Sequence, residues 1–230
     1  MAKLYGVGVG PGDPELMTLK AVNTIKKCSV IAFPHRKTAY EIALAACPEI
    51  KHKKLVSLEL PMTKSKEEIY AAHKKAAFIL EEYIKNNEDT AFLTLGDPCI
   101  YSTFMYIERI VSMHGYETRI ISGVPSFCAA SAAFKISLAD GKKQIHISAG
   151  DDDIDEVLNY NCCRIFMKAG KSLKNINDRI LKAKSKAYVA VNCTMDNERL
   201  YTDIADIIKT DGDIGYFSLV IVKHEKDYNL

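Results

Sequence analysis

The 230-residue sequence predicts an α/β fold of two units, each built on a buried sheet. Three observations predict it. Short apolar runs alternate with amphipathic stretches along the chain, the pattern of strand–helix units. Several runs are apolar throughout, as in strands covered on both faces. Glycine turns directly follow apolar runs, where an open α/β sheet places its ligand loops.

The elements follow in order. Residues 3–9 (KLYGVGV) form a short buried strand ending in a glycine turn. Helical spacing runs over 16–27 through Leu16, Leu19, Val22 and Ile25. A strand at 30–33 stops at Pro34, and a helix at 38–46 ends before Pro48. Residues 55–58 form a further strand. The helix at 64–85 has one apolar face, Ile69, Ala72, Ala76, Leu80 and Tyr83, with its charges on a solvated face. A strand at 91–95 is broken by Gly96-Asp97-Pro98, and a helix follows over 101–114. Gly115 stops that helix before a strand at 118–121. Then come a small-residue helix (126–134), a strand (144–148), a helix (154–160) and a strand (164–167). A helix (172–183), a strand (187–192) and an apolar strand (216–222) complete the order. The expected domains are 1–116 and 117–230, with the boundary near Gly115.

Composition narrows the function. A net charge of +2 gives no basic footprint for nucleic acid. No apolar run approaches the roughly 20 residues that span a bilayer, so no membrane partner is expected. The seven cysteines are irregularly spaced with no Cys-x-x-Cys, which predicts neither a zinc site nor a thioredoxin motif. Most of them sit among apolar residues and read as small hydrophobes of a reducing, cytoplasmic protein. Cys162-Cys163 reads as a strand entrance, with a redox pair as the alternative. The six histidines, His35, His52, His73, His114, His146 and His224, are scattered, and no metal is expected.

The first loop reads Gly6-Val7-Gly8-Val9-Gly10-Pro11-Gly12-Asp13-Pro14. It fails the dinucleotide fingerprint, because the last required glycine falls on Pro11 or Asp13, and it lacks a phosphate loop. Glycines here admit either close approach of backbone to a ligand or a tight strand-to-helix turn. Asp13 is a candidate cap for a helix beginning at Pro14. Asp97 is either an acceptor for a ligand amine or the cap of the helix near Ser102. Ser122-Gly123-Val124-Pro125-Ser126 is a third small-residue turn after a strand.

Three segments carry a resemblance: LYGVGVGPGDPELMTLKA, LTLGDPCIYST and SGVPSFCAASA. In order, spacing and overall length the chain resembles the cobalamin-pathway tetrapyrrole methyltransferases. Within them it is most similar to the precorrin-2 or cobalt-factor II carbon-20 subgroup. The resemblance implies two α/β domains with S-adenosylmethionine in the cleft between them, a homodimer and an anionic tetrapyrrole substrate. It implies cofactor contacts at Pro11, Gly96, Asp97, Ile100, Tyr101, Ser102 and Thr103, then Ser126 and Phe127. Met167 in IFMKAGKS, Asn192 in AVNCT and Ser218 in GYFSLVIV match later cofactor positions. The first loop, with Gly8, Gly10 and Asp13, would lie toward the tetrapyrrole.

Methyl transfer from a sulfonium is an in-line displacement that needs no metal. Holding the acceptor in line supplies on the order of 7–11 kcal/mol. The substrate's carboxylates call for Arg or Lys. His35-Arg36-Lys37 is the best local basic cluster, with ordinary surface charge as its alternative; Lys142, Lys143 and Lys168 are weaker candidates. Asp13, His35 and Tyr101 are candidate bases, and no catalytic residue follows from the sequence. The competing readings are an RNA or diphthamide-pathway relative, a cofactor-binding module without turnover, and a dehydrogenase.

Overall fold

The structure, a computed structural model, describes residues 1–150, 154–183, 185–203, 206 and 215–223. The chain divides into two units, Met1–Pro125 and Ser126–Leu230.

The first unit carries five parallel strands: β1 (Leu4–Gly8), β2 (Val30–Pro34), β3 (Lys54–Leu58), β4 (Thr90–Thr94) and β5 (Thr118–Ile121). Their order across the sheet is β3-β2-β4-β1-β5. Their links include helices α1 (Leu19–Lys27), α2 (Thr38–Ala46), α3 (Lys66–Lys85) and α4 (Phe104–Met113). Alternation along each strand sorts side chains to two faces. Tyr5, Val7, Ile31, Phe33, Ala91 and Leu93 pack with Ala21 and Ile25 of α1 and Ile42 and Ala43 of α2. Leu4, Val30, Ala32, Val56 and Phe92 pack with Ala77 and Leu80 of α3 and Phe104 and Ile107 of α4. Two covered faces explain why β1, β2 and β4 are apolar almost throughout.

Helix starts depart from the sequence expectation where a local cap wins. The expected helix at 16–27 is two pieces. Asp13 caps a 3₁₀ turn at Pro14–Leu16, Met17 is extended, and Thr18 Oγ1 accepts Ala21 N–H (3.1 Å) to start α1. Ser65 Oγ accepts Glu68 N–H at 3.3 Å and starts α3. The helix expected from residue 101 starts at Phe104, because Tyr101 takes a left-handed backbone with φ 48°.

The second unit carries a mixed sheet of order β6-β7-β10-β8-β9. Its strands are β6 (Ile145–Ala149), β7 (Cys163–Met167), β8 (Lys186–Val191), β9 (Arg199–Tyr201) and β10 (Ser218–Lys223). β6 and β7 are parallel, and β10 runs antiparallel between β7 and β8. Helices α6 (Ile154–Leu158) and α7 (Leu173–Lys182) place Val157, Ile176 and Ile180 against Phe166, Val189, Val220 and Val222. α5 (Ser126–Phe134) brings Phe134 to Tyr188, ring centroids 5.2 Å apart. α6 is shorter than expected, and the buried Arg164 donates to the carbonyls of Leu158 (2.9 Å) and Tyr160 (3.1 Å) just beyond its last turn. β9 has no counterpart in the sequence reading, since three largely exposed residues carry no periodicity.

The expected boundary at 116 is corrected to Pro125. β5 pairs with β1 from Leu4↔Thr118 to Val7↔Ile121, so it completes the first sheet. Cys162 and Cys163 are both buried at the entrance to β7.

Candidate functional site

Parallel strands put all five carboxyl ends of the first sheet on one edge. The chain leaves β1 toward α1 on one face and leaves β4 toward α4 on the other. β1 and β4 are neighbours, so the direction of winding reverses between them. In open α/β sheets such a crevice is where ligands bind.

The loops after β1 and β4 meet there. Val9 N–H donates to the Thr94 carbonyl (3.0 Å). Gly96 N–H donates to the Gly10 carbonyl at 2.7 Å and Gly10 N–H to the Gly96 carbonyl at 3.3 Å, an isolated antiparallel bridge. Gly10 and Gly96 have φ of 78° and 69°, which side chains resist. The turn after β5 closes on the same point. A Cβ on Gly8 would lie 2.5 Å from the Gly96 oxygen and 2.7 Å from Gly123 N; one on Gly123 would lie 2.2 Å from the Gly96 oxygen. Three backbones therefore touch where only glycine fits. Gly8 is buried in this contact, which gives it a packing role. Gly96 differs, because a Cβ there would meet open space.

Asp97 stands beside this node. Its Oδ1 accepts Cys99 N–H at 2.7 Å, and its Oδ2 accepts Gly123 N–H at 3.0 Å. The helix-capping alternative for Asp97 is overturned. Thr103 stands at the N-cap position without a side-chain cap bond, and just before it Ser102 Oγ accepts Phe104 N–H (3.2 Å) and shares a hydrogen bond with Thr94 Oγ1 (2.9 Å). Thr94 was absent from the sequence reading; its polarity at the end of an apolar strand was the available signal. Ile100 N–H closes a turn on the Asp97 carbonyl at 3.2 Å. Tyr101 is exposed, and Ser102 and Thr103 are half-buried. Burial, then Asp97, pushes the Cys99 thiol above its ordinary value.

The remaining expected residues of this unit share the edge. Pro11 is buried. Asp13 Oδ1 accepts Glu15 N–H at 2.8 Å, its capping role. His35, Arg36 and Lys37 follow β2, one strand beyond β4, and all are exposed. His35 Nδ1 lies 3.1 Å from the Glu59 carboxylate.

The second unit gathers its own set. Met167 ends β7, Asn192 follows β8 and Ser218 begins β10. Because β10 is antiparallel and central, its first residue lies beside the last residues of both neighbours. Ala169 N–H donates to the Ser218 carbonyl (3.0 Å), and Asn192 N–H to the Phe217 carbonyl (2.8 Å). Three non-glycine residues at this end take left-handed backbone: Lys168 (56°), Asn192 (50°) and Thr194 (65°). Such outliers concentrate at functional sites, and a β-branched residue is the costliest of them. Thr194 and its partner Glu198 (N–H to Oε2, 2.6 Å) were not anticipated, since backbone strain leaves no mark in sequence. Ser126 begins α5, and Phe127 is buried.

Among the described residues, no cluster of three or more His, Cys, Asp or Glu could hold a metal ion. His224 lies outside them. No helix among them is long and apolar enough to cross a membrane.

Comparison with known proteins gives the family and the fold. The family model for Tetrapyrrole (Corrin/Porphyrin) Methylases matches residues 3–208. A probable cobalt-precorrin-2 C(20)-methyltransferase of Methanocaldococcus jannaschii is 32% identical, covering 97% of each chain. A precorrin-2 C(20)-methyltransferase of Sinorhizobium sp. is 27% identical over 99% of this chain and 97% of its own. The crystal structure of uroporphyrin-III C-methyl transferase from Thermus thermophilus, complexed with S-adenosylhomocysteine, shares the fold. Its TM-score is 0.71 at 18% identity, with coverage of 97% and 98%.

Proposed function

The chain belongs to the tetrapyrrole (corrin/porphyrin) methylases, and on that premise we propose that it methylates carbon-20 of cobalt-factor II, cobalt-precorrin-2 or precorrin-2 from S-adenosylmethionine, a step of cobalamin biosynthesis. The observation that carries this reading is the glycine node at the winding reversal, with the bare backbone of Gly96 beside it. That bare face is where a donor's methionine part fits without meeting a side chain. Gly96, Asp97, Ile100, Tyr101, Ser102 and Thr103, with Pro11, would hold it. Ser126, Phe127, Met167, Asn192 and Ser218 are the candidates for the rest of the cofactor.

When bound, the donor supplies an electrophilic methyl on a sulfonium. The chain's own residues have to bind and orient. Arg36 and Lys37 are exposed cations at the same sheet edge and would take up substrate carboxylates through charge-assisted bonds. His35 would exchange Glu59 for the substrate. Gly10 and Asp13 lie on the loop that would face the macrocycle. A homodimer in the cytoplasm belongs to the same reading.

Incubation with labelled S-adenosylmethionine and each tetrapyrrole tests it. The expected result is one methyl per macrocycle, S-adenosylhomocysteine release, and an NMR assignment at carbon-20. Donor binding without product on any tetrapyrrole would instead make the chain a cofactor-binding module.

A further inference from the structure

The carboxylate of Asp97 bridges two turns separated by 26 positions in the chain. One oxygen holds Cys99 N–H of its own loop, and the other holds Gly123 N–H in the turn after β5. Both bonds are charge-assisted, the stronger class of hydrogen bond. The turn so held has no slack. Gly123 lies against the Gly96 oxygen and the Gly8 backbone, and a single Cβ at Gly123 would come within 2.2 Å of that oxygen. Asp97 therefore sets the distance between the β4 and β5 turns, and Gly96 presents its bare face from inside that arrangement.

We propose that Asp97 is a positioning residue for the methyl donor: it fixes the two turns that shape the seat at Gly96, and does not act by pairing with the donor's ammonium. The proposal rests on the reading that this edge binds S-adenosylmethionine. It differs from the simplest expectation for an acidic residue in such a loop, which is a salt bridge to the amine.

Two ligands separate the alternatives: S-adenosylhomocysteine, and its deaminated analogue, which lacks only the ammonium. Calorimetry is run on the wild type, Asp97→Asn and Gly123→Ala, with thermal unfolding of each as the check on folding. Asn keeps one acceptor and loses the second, so one turn is released. Gly123→Ala disturbs the node from its other end and leaves the carboxylate in place. A positioning role predicts that both variants weaken both ligands, by about 10- to 100-fold, with the ratio between the ligands unchanged. If Asp97→Asn weakens S-adenosylhomocysteine and spares the deaminated analogue, Asp97 bonds the ammonium and the proposal is overturned. If either variant folds and binds both ligands as the wild type does, the spacing of the turns is irrelevant and the proposal is equally lost. A wild type that binds neither ligand removes the methyltransferase reading itself, a separate outcome.

Discussion

At the scale of single residues, the site is defined by atoms that are missing and by carboxylate oxygens that are occupied. Gly8 and Gly123, lacking a Cβ, let their backbones touch that of Gly96, and Asp97 ties the turns after β4 and β5 together. The cysteines report on this arrangement. Five of the seven are buried, and Cys99 and Cys128 are exposed. The Cys99 thiol is raised first by burial and then by the Asp97 charge, so its thiolate fraction at pH 7 is below that of a free cysteine. Iodoacetamide labelling of Cys99, followed by mass spectrometry, is expected to be slow near pH 7 and to climb with pH beyond about 9, past the ordinary thiol value. Asp97→Asn removes the charge and should speed labelling at fixed pH. A Cys99 that reacts as fast at pH 7 as at pH 10 would contradict this account. The sequence singled out Asp97 and Gly96 by their place after an apolar strand, but not Asp97's partners. A helix-capping role is what a local window suggests for Asp97; of its two partners Cys99 N–H is local, and Gly123 N–H lies beyond any such window.

At the scale of elements, long-range side chains finish what local signals begin. Helix α1 carries two lysines in its last turn but no glycine stop. Its end is held by Lys53, whose Nζ donates to the carbonyls of Ile25 (2.9 Å), Lys26 (2.6 Å) and Cys28 (2.6 Å). A cation on the last carbonyls satisfies orphan acceptors and opposes the negative end of the helix dipole. Lys53→Met keeps the aliphatic stem and deletes the ammonium. It should lower unfolding free energy by about 1–2 kcal/mol in urea titrations. An unchanged midpoint would mean that water caps α1 as well as Lys53 does. The periodicity located α1, α3 and α4 within a few residues, because the apolar stripe is a local property. The starts of α1 and α3 are set at Thr18 and Ser65, where hydroxyls accept backbone N–H groups, and that of α4 follows the left-handed Tyr101.

At the scale of the whole molecule, the alternating order predicted two α/β units, and two units are present, but the boundary moved to Pro125. The reason is β5, the edge strand that completes the first sheet beside β1. A fragment of residues 1–125 is expected to unfold cooperatively and to be more stable than one of 1–116, which strips β1 of a partner. Circular dichroism melts of both decide it, and equal melts would return the boundary to 116. What the sequence determined alone was the kind of most elements and the glycine turns between them, because hydrophobic period and glycine turns are written over a few neighbouring residues. What only the tertiary structure decided was which loops meet. Strand order put the turns after β1, β4 and β5 together, and an antiparallel β10 brought Ser218 alongside Met167 and Asn192. Pairing between distant strands depends on the free energy of the whole packed sheet, and no short window of sequence contains that sum.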